Sequence, residues 1–294
     1  MAREESAPVV IPPLAGGGQL DHLASILLPL SRIAQPRFFG MEHIPTDGSL
    51  LAGNHTLYAF LDLPFMLAEI WRRRAIAVRS LGENAHYAIP LWREVLTACG
   101  MVRGTRENVR ALMDERATVL VFPGGAREVN KRRGEKYQLM WKERLGFARL
   151  AIEHGYPIVP FAAVGAEEML DIVIDENNPA YAHFTDLVKR LTGWPMQPLV
   201  HGVGPTLLPH PERLYFWFGE PIETTCLKGR NGDDRAAHAI RDEVKGAVVE
   251  GIAFLLAERE ADPRRELRTR LMTRNAPDDG LSATESPRRS PRSN

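Results

Sequence analysis

Three short apolar runs, "SLLAGN" (49–54), "ATVLVFPGG" (117–125) and "PIVPFAAVG" (157–165), are separated by longer stretches whose apolar residues recur at helical spacing. Runs that are apolar without alternation belong to strands covered on both faces. Strands of that kind alternating with helices assemble a parallel sheet between helical layers. The intervening helices are "DLPFMLAEIWRRR" (62–74), with Asp62 as N-cap and Pro64 in the first turn, "ENVRALMDE" (107–115), and "WKERLGFARLAIEHG" (141–155), which ends at Gly155. "RLYFWFGEPI" (213–222) reads as a late aromatic strand, and the segment 233–260 as a long C-terminal helix. The expected fold is a single α/β domain with a mostly parallel central sheet flanked by helices, plus an N-terminal helical segment and the C-terminal helix.

That domain is expected over 19–272, with its motif-bearing core at about 35–225. Residues 1–18 read as a Pro/Gly-rich flexible leader, and 273–294 as a polar, Ser/Pro-rich disordered tail. The N-terminal helical pattern, "DHLASILLPLSRIAQPRFF" (21–39), contains Pro29, which is expected to kink or end the helix. Two readings of this segment stay open: a helix packed on the core, or one lying on a membrane surface, the second kept open by Arg32, Arg37, Phe38 and Phe39.

Lys+Arg and Asp+Glu both number 37, and this balance counts against a dedicated nucleic-acid binder. The two cysteines, Cys99 and Cys226, form no metal or disulfide pattern and fit a reducing compartment. No run approaches the ~20 apolar residues of a membrane span, and the N-terminus lacks the pattern of a signal peptide. The expected location is cytoplasmic, peripheral on the inner face of a membrane.

In parallel sheets, reactive groups collect on loops leaving the C-terminal ends of strands. "GNH" and "PGGAR" both occupy such loops and are expected on one edge. His55 can be a structural loop histidine or a general base. Asp62 can cap its helix or hold one nitrogen of the His55 ring, and with two carboxylate oxygens the roles are compatible. Gly124 and Gly125 allow positive φ and leave amides free to face an anion or oxyanion. The cations that follow, Arg127, Lys131, Arg132, Arg133 and Lys136, are either a solvated loop or an anion site. Arg103 and Arg106 precede a helix whose N-terminal amides favour anions. No GxxxxGK[ST] and no GxSxG occurs, which removes a phosphate-binding loop of that type and the nucleophile elbow of a serine hydrolase.

In this order the elements resemble the four sequence blocks of the glycerolipid (lysophospholipid) acyltransferase family. Asn54, His55 and Asp62 match the first block, and Gly100, Val102 and Arg106 the second. Phe122 to Arg127 match the third, Phe-Pro-Glu-Gly-Thr-Arg, and Tyr156 to Gly165 the fourth. Two departures stand out. Six residues separate His55 from Asp62 where the family usually has four, and Gly124 stands in place of the third block's glutamate. In the family that glutamate helps bind a glycerol-phosphate acceptor. The "FPGGARE" form looks like the branch containing phytyl-ester and diacylglycerol-forming enzymes, which implies a more neutral acceptor.

The resemblance implies acyl transfer from acyl-CoA or an acyl carrier protein to the hydroxyl of a glycerolipid or lipid alcohol. It implies no acyl-enzyme, metal or redox cofactor. His55 would act as general base with Asp62 orienting it, and the Gly124 and Gly125 amides would face the oxyanion. Arg106, Arg127, Asn54 and Arg103 would contact substrate, and a membrane surface would be a partner. A 1-acylglycerol-3-phosphate acyltransferase and a non-catalytic lipid- or membrane-binding protein remain the alternatives.

Overall fold

The computed structural model describes residues 9, 11–12, 17–57, 61–82, 87, 93–94, 96–97, 99–192 and 196–272. The expected tail and most of the expected leader lie outside them. Within the leader, Ile11 packs against the core and the Pro12 carbonyl accepts a hydrogen bond from Arg79 at 2.6 Å.

The chain opens with α1 (Gly17–Ala34), β1 (Arg37–Phe39), β2 (Leu50–Gly53), α2 (Leu63–Arg74), β3 (Val78–Gly82) and β4 (Val102–Arg103). It continues through α3 (Arg106–Asp114), β5 (Thr118–Val121), the single turn α4 (Ala126–Val129), α5 (Gly146–His154) and β6 (Ile158–Val164). An excursion of β7 (Asp171–Ile174), α6 (Pro179–Thr192) and β8 (Leu199–His201) precedes β9 (Tyr215–Phe218), α7 (Asp234–Ala261) and α8 (Leu267–Met272). The main sheet runs β1-β9-β6-β2-β5-β3-β4, while β7 and β8 form a separate antiparallel ribbon. Every neighbouring pair in the main sheet is parallel except β6–β9. A mostly parallel sheet between helices is the architecture expected.

Alternate residues of the central strands feed two cores. Leu50 and Ala52 of β2 join Val109 and Leu112 of α3, Ala148 and Ile152 of α5, and Val244 and Val248 of α7 on one face. Leu51 joins Met66 and Ile70 of α2 on the other, together with Phe161, Phe216 and Phe218. Coverage of both faces explains the unalternated apolar runs.

Three local expectations are corrected. Pro29 does not end the N-terminal helix, which runs on to Ala34. Tertiary contacts hold its two ends: Trp71 donates to Asp21 at 2.8 Å, and Arg270 donates to the Ile33 carbonyl at 3.0 Å. Phe38 and Phe39 belong to edge strand β1 instead of an exposed helix. Phe38 stacks on Phe216 with ring centroids 4.8 Å apart, and Phe39 meets Phe254 edge-on at 5.1 Å. Finally, α5 starts at Gly146, five residues after Trp141, because Trp141 is buried in the core from a turn.

Candidate active site

The path of the chain makes a crevice. From β2 it crosses the sheet by α2 on one face to reach β3. From the adjacent β5 it crosses by α5 on the opposite face to reach β6, so the loops leaving β2 and β5 part from each other. Such a switch point is where α/β sheets hold ligands. His55 follows β2 and Gly124–Gly125 follow β5, on the same edge.

Asn54 fixes the exit of β2. Its side-chain amide donates to the Ala163 carbonyl at 2.9 Å, and its oxygen accepts from the Ala163 N–H at 2.8 Å. Buried and bonded in this way, it ties β2 to β6, while Asn54 also lines the recess beside His55.

The next residue is gripped by the glycine loop. The His55 N–H donates to Glu128 Oε2 at 2.8 Å, and its carbonyl accepts from Lys131 Nζ at 3.1 Å. The ring is half-buried and stacks on Phe122, with centroids 3.9 Å apart and planes 22° from parallel.

Asp62 begins α2 as expected, but its carboxylate makes no capping hydrogen bond. Instead Oδ1 accepts from the Thr56 hydroxyl at 2.9 Å. Among the described residues no hydrogen bond joins Asp62 to the His55 ring. The two line a common recess of ≈ 10 Å³, about one water molecule in size, with Thr56, Phe122 and Phe161. Residues 58–60 of the intervening segment lie outside the described residues.

Burial pushes the Asp62 carboxyl up to about 6, with the Thr56 hydrogen bond opposing the rise and nearby Glu167 adding to it. Burial also raises Glu128 against the His55 amide and Lys131, and raises Glu167 against Lys131. Lys131 and Glu167 form an ion pair only 3% and 2% exposed. Asp62, Glu128 and Glu167 are thus three buried carboxyl groups set close to one buried ammonium, Lys131.

In the glycine loop, Gly125 has φ 52°, a conformation that favours glycine, and its N–H closes a turn onto the Phe122 carbonyl at 3.0 Å. The Gly124 N–H has no hydrogen-bond partner among the described residues, and Gly124 itself is buried. Gly124 is a glycine for a separate reason. A Cβ there would stand 2.0 Å from Glu128 Cδ, because Glu128 folds back over it.

A family model described as Diacylglycerol acyltransferase matches residues 56–239, more than half of the chain and beginning one residue after His55. The chain belongs to the diacylglycerol acyltransferase family. Phytyl ester synthases 1 and 2 (chloroplastic) of Arabidopsis thaliana are 34% and 32% identical to it, each over 79% of this chain and 36% of the relative. Diacylglycerol O-acyltransferase 2A of Umbelopsis ramanniana is 27% identical over 56% of this chain and 48% of that protein. The chain thus spans little more than a third of the length of the phytyl ester synthases. The resemblance carried by the four sequence blocks is borne out at the level of the family.

In this diacylglycerol acyltransferase family chain, Lys131 departs from the solvated loop that the sequence suggested, being buried, while Arg133 and Lys136 are exposed as that reading has them. Arg127 donates to Glu135 at 2.5 Å and to the Asn130 carbonyl at 3.0 Å. Arg132 pairs with Glu176 at 2.7 Å, and Arg133 donates to the Ile172 and Val173 carbonyls at 2.6 and 2.9 Å. The partners lie mostly in the β7–α6–β8 excursion, which sequence reasoning did not resolve. Arg103 and Arg106 are exposed near β4, three strands from β2 and so roughly 14 Å from the His55 strand. Arg103 lies 5.4 Å over the Tyr87 ring, and Arg106 opens α3. Sequence reasoning missed Glu128 and Glu167 and placed Lys131 in a solvated loop or an anion site, where the structure has it buried and paired. The available signal was a glutamate one turn beyond a glycine that could not tolerate a side chain.

Proposed function

We propose that this chain transfers an acyl group from an acyl thioester to the hydroxyl of a neutral lipid alcohol or glycerolipid. The observation that carries the reading is His55, held at the switch point against the glycine loop in a pocket with excess buried acid. The names of the relatives, phytyl ester synthase and diacylglycerol O-acyltransferase, support the same chemistry.

His55 takes the proton of the acceptor hydroxyl as its oxygen attacks the thioester carbonyl. The Gly124 amide faces the developing oxyanion, a contact of this type being worth roughly 3–4 kcal/mol. Collapse of the tetrahedral intermediate breaks the carbon–sulfur bond, and the imidazolium returns its proton to the departing thiolate. Asp62, ionised above pH about 6, stabilises the imidazolium across the shared recess. The donor is acyl-CoA or an acyl carrier protein. Its phosphates bind at Arg103 and Arg106, which are exposed and far enough from His55 to suit a donor whose charge lies away from its thioester. A neutral acceptor is supported by the pairing of Arg127, Lys131 and Arg132 with Glu135, Glu167 and Glu176, which engages these three cations with acids of the protein itself. That pairing counts against the 1-acylglycerol-3-phosphate reading.

The protein works at a bilayer surface, on the inner face of a membrane. No helix among the described residues is long and apolar enough to cross one. On α1, Ile26, Leu28, Leu30 and Ile33 are exposed beside Leu271 and Met272 of α8, while α1 also packs on α2. The packing on α2 fits the first reading of the N-terminal segment, and the exposed aliphatic residues support the membrane-surface one.

Incubation with acyl-CoA and a panel of diacylglycerol, long-chain alcohol and lysophosphatidate, following free thiol and ester together, tests the proposal. One ester per thiol with a neutral alcohol is expected. Thiol release that ignores the acceptor marks a thioesterase and overturns the reading. Liposome binding with no turnover of any donor favours a non-catalytic lipid binder.

A further inference from the structure

We infer that Glu128 and Lys131 are positioning residues, which hold the His55 backbone at its N–H and its C=O and thereby set where the ring stands. The inference rests on the reading of His55 as the base. His55 lies just past the end of β2, where no ladder strand supplies partners for its N–H and C=O. Glu128 and Lys131 supply both. Glu128 is fully buried, with Oε2 on the His55 N–H at 2.8 Å and Oε1 on the Met140 N–H at 2.7 Å. Lys131 is 2% exposed and donates to the His55 carbonyl at 3.1 Å while paired with Glu167.

Burying charged groups is expensive, and an apolar core would hold a loop at lower cost. Two buried charged side chains on the backbone of a single residue suit a residue whose placement has to be accurate, since a displacement of about 1 Å can cost a reaction about 100-fold. The clamp also accounts for Gly124, because any side chain there displaces the Glu128 carboxylate. Glu167 completes the arrangement. It neutralises Lys131 and takes the Tyr137 N–H at 2.7 Å, so the ammonium is itself held in place.

The test uses the full chain and separates positioning from folding. Glu128→Gln keeps the shape, but its amide oxygen replaces only one of the two acceptors. A fall in kcat on the order of 100-fold with KM within about threefold is expected. Lys131→Met leaves Glu167 buried without its counter-ion and is expected to lower the melting temperature. The double variant Lys131→Met/Glu167→Gln removes both charges, and is expected to restore the melting temperature while kcat stays at least about 10-fold down. Recovery of kcat together with stability in the double variant, or wild-type kcat in Glu128→Gln, overturns the clamp.

Should the wild-type chain esterify no acceptor, the function reading fails separately, and the NMR signals of the His55 ring, assigned through His55→Gln, decide about the clamp. Broadened or doubled ring signals in Glu128→Gln are expected, and unchanged signals overturn it.

Discussion

The His55 and Phe122 rings lie almost flat on one another, centroids 3.9 Å apart, although 66 residues of chain separate them. The contact joins the loop after β2 to the loop after β5, and Phe122 is in turn seated edge-on against Phe161 at 5.8 Å. Stacking of this kind is worth roughly 0.5–1.5 kcal/mol. Phe122→Leu is therefore expected to lower kcat/KM by up to about 10-fold with little change in melting temperature. Steady-state kinetics of the variant measure this.

Asp62 couples stability to pH. Its carboxyl is raised by burial to about 6, so the folded chain holds this proton more tightly than the unfolded chain does. The associated stability is fully present below about pH 4 and is lost as pH rises through about 6, a cost on the order of 3 kcal/mol by pH 7. Asp62→Asn removes this slope. Denaturant unfolding at pH 4, 5, 6 and 7 should show the variant gaining on wild type as pH rises. Acyl transfer should fall in the same variant, and in wild type it should decline below about pH 6, as Asp62 takes up its proton.

Gly124→Ala places a methyl where Glu128 Cδ stands, at 2.0 Å, and is expected to cost both stability and activity. In Gly124→Ala/Glu128→Ala the clash is gone, so the melting temperature should recover in part while activity does not. Gly146→Ala is the control: its added Cβ meets nothing within 4 Å, and thermal unfolding should barely change.

The exposed aliphatic stripe of α1 predicts surface binding. Leu30→Glu/Ile33→Glu should weaken flotation with vesicles containing anionic lipid while leaving the melting temperature unchanged. Undiminished flotation of that variant would remove α1 from the membrane face.

Much of this arrangement was legible in the sequence because the central strands are buried on both faces, and unalternated apolar runs such as 158–164 can be little else. Strand β1 was hidden because Arg37–Phe39 is three residues long and continues a helical pattern across Pro36. The excursion at 171–201 was hidden for another reason: its hairpin pairing is long-range, and α6 exposes Phe184, Leu187 and Leu191. His55 and the glycine loop could be placed on one edge from strand order alone. Glu128 and Lys131 could not, because a charge run reads as solvated until tertiary structure supplies Met140, Glu167 and the His55 backbone as partners.

The central claim is that His55 moves the proton in acyl transfer. The direct measurement compares His55→Gln with wild type, using acyl-CoA and whichever neutral lipid alcohol the wild type esterifies, with ester and thiol followed together and the melting temperature matched. A fall in kcat/KM on the order of 1,000-fold is predicted, as expected for loss of a general base. A His55→Gln variant that forms ester at the wild-type rate would contradict the account.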